Sequence, residues 1–178
     1  MLTRGIFHAI TDDDLKELRR TKDGPKRRKL VQEWDERWPL EWRCSTDKAW
    51  KFLYIALAFQ KGPAGGRPEI GQGLGADMFY GKNLHRANFY VIGHVPHAWL
   101  PEIVSFLDGL DVAIYHGLYF SPEAQGRFAA CCFPQVHGIN ATEERWVEYT
   151  WNWLQTIRDL FRRALDGKRS LIFNAHNC

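Results

Sequence analysis

No apolar run in this 178-residue chain is long enough to cross a bilayer. The most apolar stretch, Ser45 to Gln60, carries Asp47 and Lys48 near its start and falls short of the ~20 apolar residues a spanning helix needs. Cysteine is sparse as well. Cys44, Cys131, Cys132 and Cys178 make no CxxC pair and no small secreted framework, so free thiols in a reducing setting are expected. Met1 to Gly5 lacks the apolar core of a signal peptide, which adds to the expectation of a cytoplasmic protein. Charge of one sign is scarce: 24 Lys plus Arg stand against 21 Asp plus Glu, a net of +3. The basic clusters at Lys26 to Lys29, Arg162-Arg163 and Lys168-Arg169 have acidic residues between them. They read as solvated helix faces, and a nucleic-acid partner is not favoured.

Ligand motifs are missing too. Gly71-Gln-Gly-Leu-Gly75 follows a predicted helix rather than a strand, and no Gly-Lys-Ser/Thr comes after it, so it fails as a phosphate cradle. His94 and His97 flank a turn, with His116, Cys131, Cys132 and His137 further on, but no set stands at zinc-ligand spacing. Cys131 and Cys132 sit in an apolar run, which favours buried, inert thiols over a Cys–His nucleophile. No metal and no cofactor is expected.

What the chain does have is aromatic mass, 14% of residues with eight Trp, in a composition that is 45% hydrophobic. That is enough to bury a real core in one domain spanning residues 1–178. Ile6 and Phe7 mark a first strand. Thr11-Asp-Asp-Asp14 starts a helix, with Asp14 at the capping-box position, and Asp23-Gly24-Pro25 ends it. A charged surface helix follows over 26–37, and Trp38 and Trp42 plug a connector onto the core. Trp50, Leu53 and Leu57 give the run from Ser45 helical spacing, with Ser45 or Thr46 as cap and Asp47 at the positive end of the dipole.

Glycine and proline then dominate a loop at about 61–82. Asn88 to Ile92 is a strand, Gly93 to Pro101 a turn, and Glu102 to Leu110 a helix. Val112 to Tyr119 fits strand or helix. Ser121-Pro122-Glu123 opens a short helix. A long helix runs from Thr142 to about Leu165 on a stripe of Trp146, Tyr149, Trp153, Ile157, Leu160 and Ala164, before a last strand at Leu171 to Phe173. The pattern is α+β: a small sheet of short strands packed against several helices.

One group of mixed chemistry stands out at the exit of the glycine loop. Asp77, Tyr80, Lys82, His85 and Arg86 put an acid, bases and an aromatic beside flexible backbone, where recognition residues concentrate. They are the candidate partner-binding residues. The alternative is a small enzyme with the glycine loop as lid and His85, Asp77 or Asp47 in acid–base roles.

Several stretches in order resemble the YfbM-like family of uncharacterised bacterial proteins. Asp47-Lys48-Ala49-Trp50 with Leu53-Tyr54 looks like that family's Asp-Lys-x-Trp-x-x-Leu-His signature, with Tyr54 in place of His. The glycine loop followed by Tyr80-Gly81, then Ser121-Pro122-Glu123 and Phe133-Pro134, are similar to its later segments. The resemblance implies a single α+β domain with Asp47, Lys48, Trp50 and Leu53 as a structural motif, and no established activity. Small domains of this kind also occur beside toxin genes as immunity proteins. A non-catalytic domain that binds a cognate protein, in its most concrete form a toxin, is therefore the expectation.

Overall fold

Strand β1 (Gly5–Ile10) is buried along its whole length, and its alternation divides the molecule. Phe7 and Ala9 enter one apolar cluster, whereas Ile10 enters another on the opposite face of the sheet. The structure is a computed structural model that describes residues 4–58, 73–87, 90–130 and 143–176, with backbone alone at 86, 87 and 176. Among these, β1 joins β2 (Arg43–Asp47), β3 (Lys82–Ala87), β4 (Tyr90–Val95) and β5 (Ser170–His176) in an antiparallel sheet of order β2-β1-β5-β4-β3. Burial on both faces of β1 and β4, against the alternating burial of edge strand β2, marks a sheet covered on both sides.

The larger layer holds α3 (Ala49–Ala58), α4 (Leu74–Asp77), α5 (Leu100–Asp108), α6 (Val112–Tyr119), α7 (Pro122–Ala130) and α8 (Glu144–Asp166). At its centre Phe7 meets Phe79, Phe161 and Phe173 with ring centroids 5.5, 5.5 and 4.7 Å apart, tilted or edge-on as aromatic quadrupoles prefer. Gly93 of β4 lets the turn after α4 lie on the sheet. A Cβ there would come within 2.4 Å of the Phe79 carbonyl oxygen. Phe52, Tyr119, Phe128 and Trp146 form a second aromatic group where α3, α6, α7 and α8 meet.

The smaller layer is α1 (Asp12–Arg20) with α2 (Gly24–Arg37). The expected capping box forms: Asp14 accepts from the Thr11 amide at 2.8 Å, and the Thr11 hydroxyl accepts from the Asp14 amide at 3.3 Å. Asp23 caps α2 by accepting from the Lys26 amide at 2.9 Å. Leu15, Leu18, Val31 and Trp34 bury the inner sides of both helices against Ile10, Tyr90, Ile92 and Ile172. Arg27 ties the layer together by donating to the carbonyls of Leu18, Thr21 and Leu84.

Four local expectations are corrected. Arg43–Asp47 is an edge strand, so the helix begins only at Ala49, and the Thr46 hydroxyl donates to the Gly5 carbonyl at 2.9 Å instead of capping. Pairing with β1 outweighs the local cap signal. Of the glycine-rich stretch, residues 61–72 lie outside the described residues, while the part from Gly73 carries helix α4 and the first residue of β3. Gly93 to Val95 continues β4 rather than turning. In the first half of α8 the buried residues are Val147, Thr150 and Leu154, with Trp146, Tyr149 and Trp153 only partly buried. Helix α6 draws that half round, because Tyr115 donates to the Thr150 hydroxyl at 2.8 Å; further along α8, Arg158 donates to the carbonyl of Leu110, just before α6, at 2.7 Å.

Candidate functional site

The five residues predicted at the exit of the glycine loop fall into separate neighbourhoods. Tyr80 packs edge-on against Tyr54 of α3, 4.8 Å between ring centroids. Lys82 begins β3 and holds its ammonium 5.8 Å from the Trp99 ring. His85 turns towards α2, where a Cβ on Gly24 would come within 2.6 Å of its ring, and lies 6.3 Å from Tyr90. Asp77 ends α4 half-buried, and burial raises its carboxyl above the usual range. Arg86 belongs to β3, and its side chain lies outside the described residues. Beside α4 an open depression of about 570 Å³ is lined by Leu74, Pro101, Glu102, Ser105 and Phe106.

The sheet face under α1 and α2 collects polar groups that sequence reading missed. One cross-strand row runs Arg43, His8, Ile172, His94, Lys82 through all five strands. His8 is fully buried, with Nε2 3.1 Å from Asp35 Oδ1: ion-pair distance, although not aligned as a hydrogen bond. Asn174 in the next row donates to the same oxygen at 3.3 Å, and Arg43 donates to the Asp35 carbonyl. Trp34 and Trp38 stand edge-on to the His8 ring at 6.3 and 5.9 Å. Burial and the Asp35 charge raise the Tyr90 phenol, opposed by Arg28, whose guanidinium sits 5.0 Å from the Tyr90 ring centroid.

His94 is 2% exposed, and neither ring nitrogen has a hydrogen-bond partner. Burial first, then the charges of Arg19 and Lys82, pull its imidazole down to about 4. The two histidines are two strands apart, ~10 Å at usual strand spacing, too far to share one metal ion. Among the described residues no group of three His, Cys, Asp or Glu is placed to hold a metal. The readable signal was alternation. Phe7 and Ala9 inward on one face put His8 inward on the other.

Residues 1–174 match the model of a domain of unknown function, DUF1877. The chain belongs to the DUF1877 family. Its fold is similar to that of a solved structure, YfbM from Escherichia coli, a protein of unknown function: TM-score 0.66 and 15% identity, covering 99% of each chain. At that identity the likeness is one of fold. No curated protein matches. The resemblance to YfbM-like proteins and the α+β class therefore hold.

In this DUF1877 domain the Asp47-Lys48-Ala49-Trp50 motif joins β2, α3 and α8. Asp47 ends β2 in left-handed backbone, φ 46°, a conformation Asp tolerates better than most residues. Its carboxylate accepts from the Tyr149 hydroxyl of α8 at 3.1 Å. Burial raises the Tyr149 phenol, a hydrogen bond with Trp153 lowers it, and Asp47 raises it again. Trp50 and Leu53 are core. Cys44 of the DUF1877 domain is a buried thiol pushed up to about 12 by burial, protonated at neutral pH and so a poor nucleophile. Cys131, Cys132, Cys178 and His137 lie outside the described residues. No helix among the described residues is long and apolar enough to cross a membrane.

Proposed function

We propose that this DUF1877 domain is a non-catalytic, cytoplasmic recognition module, in its most specific form an immunity protein that binds and occludes a cognate toxin domain. The supporting observation is the outward face of α6. Val112 is 57% and Ile114 46% exposed, Ala113 and Gly117 lie between them on the outward arc of the helix, and His116, paired with Glu144, is the polar side chain there. Burying exposed apolar side chains of this size against a partner is worth ~25 cal/mol per Å² before the costs of association.

Gly117 adds a second strand of support. Glycine inside a helix costs ~1 kcal/mol relative to alanine, and a Cβ at Gly117 would meet nothing within 4 Å. Gly126 in α7 is the same. The fold has no steric need of either glycine, whereas a partner's backbone could approach both closely. Carboxylates frame the face: Asp111 caps α6 and Glu144 sits 3.0 Å from His116. Such a patch, an apolar centre within a polar rim, suits protein recognition.

Co-expression with a toxin-like domain encoded beside this gene tests the reading. Growth rescue and a stable complex on a sizing column are expected, and Ile114→Lys should abolish both with the fold intact. Failure of rescue together with absence of a complex would end the immunity reading. A second reading, a small enzyme with the glycine-rich segment as lid, draws on Asp77, whose carboxyl is raised by burial next to the α4–α5 depression. Under that reading a bound small molecule would shift α4 and α5 resonances.

A further inference from the structure

Helices α4 and α5 border an open surface whose charges are all of one sign. The depression of about 570 Å³ there has Leu74, Pro101 and Phe106 as its apolar lining, with Glu102 and Ser105 beside them. Glu102, Ser105 and Phe106 follow at i, i+3 and i+4, which puts them on one face of α5. Asp77 stands three residues after Leu74, on the same face of α4. Neither helix carries a Lys, Arg or His, and the lining holds none. Asp108, at the far end of α5, meets Arg162 at 2.8 Å, whereas the carboxylates of Asp77 and Glu102 have no hydrogen-bond or ion-pair partner among the described residues. Asp77 is half-buried, and burial raises its carboxyl with no positive group to offset it.

An apolar floor flanked by two unpaired carboxylates fits a side chain that is apolar along its stem and cationic at its tip. A hydrocarbon group would cover the floor and leave both charges unanswered. A metal ion would leave Leu74, Pro101 and Phe106 wet, and among the described residues no three of His, Cys, Asp or Glu stand together to hold one. Arginine suits the site better than lysine, because its planar guanidinium offers five N–H donors to carboxylates and stacks on aromatic rings such as that of Phe106. The depression is open, so the side chain can arrive on the surface of another protein. We propose that the α4–α5 depression docks an arginine side chain of a protein partner, with its stem on Leu74, Pro101 and Phe106 and its guanidinium reaching Asp77 and Glu102. No residue of α6 lines the depression, so this site stands or falls apart from the α6 face.

The test is an NMR titration of the whole chain with N-acetyl-arginine amide, and with N-acetyl-citrulline amide as a neutral probe of the same shape, at equal ionic strength. Saturable shifts in the amides of α4 and α5 are expected with the arginine probe. Asp77→Asn and Glu102→Gln should each weaken it roughly threefold, as the loss of one solvent-facing ion pair would, while β1, β5 and α6 resonances stay in place. Citrulline, which forgoes both pairs, should bind roughly tenfold more weakly. Glu102 is exposed on α5, so Glu102→Gln carries the test by itself if Asp77→Asn disturbs α4. Equal binding of the two probes would mean apolar contact without charge recognition and would overturn the site. No saturation with arginine, or binding untouched by Glu102→Gln, would overturn it as well.

Discussion

Acidification from pH 7.5 to pH 5 should destabilise this protein through His94. The residue is buried on β4 under α1, and its imidazole is held down at about 4 by burial and by Arg19 and Lys82. An unfolded histidine takes its proton near ~6.5. Between those values the unfolded chain binds more protons than the native one, so stability rises with pH through the window and falls as pH drops. The contribution is complete above ~pH 6.5 and lost as pH falls towards 4. From pH 7.5 to pH 5 the linkage relation gives a loss of ~2 kcal/mol, reduced to ~1–2 kcal/mol because solvent screens part of the interaction. Urea unfolding of wild type and His94→Gln at both pH values measures it. The difference between the two proteins in their pH dependence should be ~1–2 kcal/mol, with the variant the flatter. Equal pH dependence in both would refute the reasoning that His94 is buried neutral among cations.

Other outcomes follow from local structure. Gly117→Ala and Gly126→Ala should each stabilise the free domain by ~0.5–1 kcal/mol in chemical denaturation, since no atom lies within 4 Å of the new Cβ. On the proposed reading they also weaken partner binding, an opposition of signs that a purely structural glycine would not produce. Asp35→Ala should cost ~2–3 kcal/mol, because it strips the carboxylate from buried His8 and from Asn174. A loss below ~0.5 kcal/mol would show that α2 does not depend on this contact. In iodoacetamide labelling followed by peptide mass spectrometry, Cys44 should remain unmodified in the native protein and react once it is unfolded.

Local chemistry made much of the fold legible. The Thr11–Asp14 capping box, the Ser121-Pro122 helix start and the periodicity of Ile157, Leu160 and Ala164 all rest on residues a few positions apart. The structure keeps each of them. Errors arose where a distant partner decided the outcome. Thr46 has the chemistry of a cap but lies opposite β1, and the first half of α8 is turned by α6. The candidate site shows the same division. Asp77, Tyr80 and Lys82 are near neighbours in sequence, yet they project to different surroundings. The row from Arg43 to Lys82 depends on the register of five strands whose order, β2-β1-β5-β4-β3, no local pattern encodes. Burial on both faces of the sheet also hid the polar row: alternation places His8 opposite Phe7 and Ala9, but it does not tell that the His8 face is buried as well.

Recognition through α6 is the central claim, and one affinity settles it. Where a toxin-like domain is encoded beside this gene, isothermal titration of that domain into wild type and Ile114→Lys should give a tight complex for the first and at least a tenfold weaker one, ~1.4 kcal/mol or more, for the second. The same affinity for both proteins, or no heat with wild type, would contradict it.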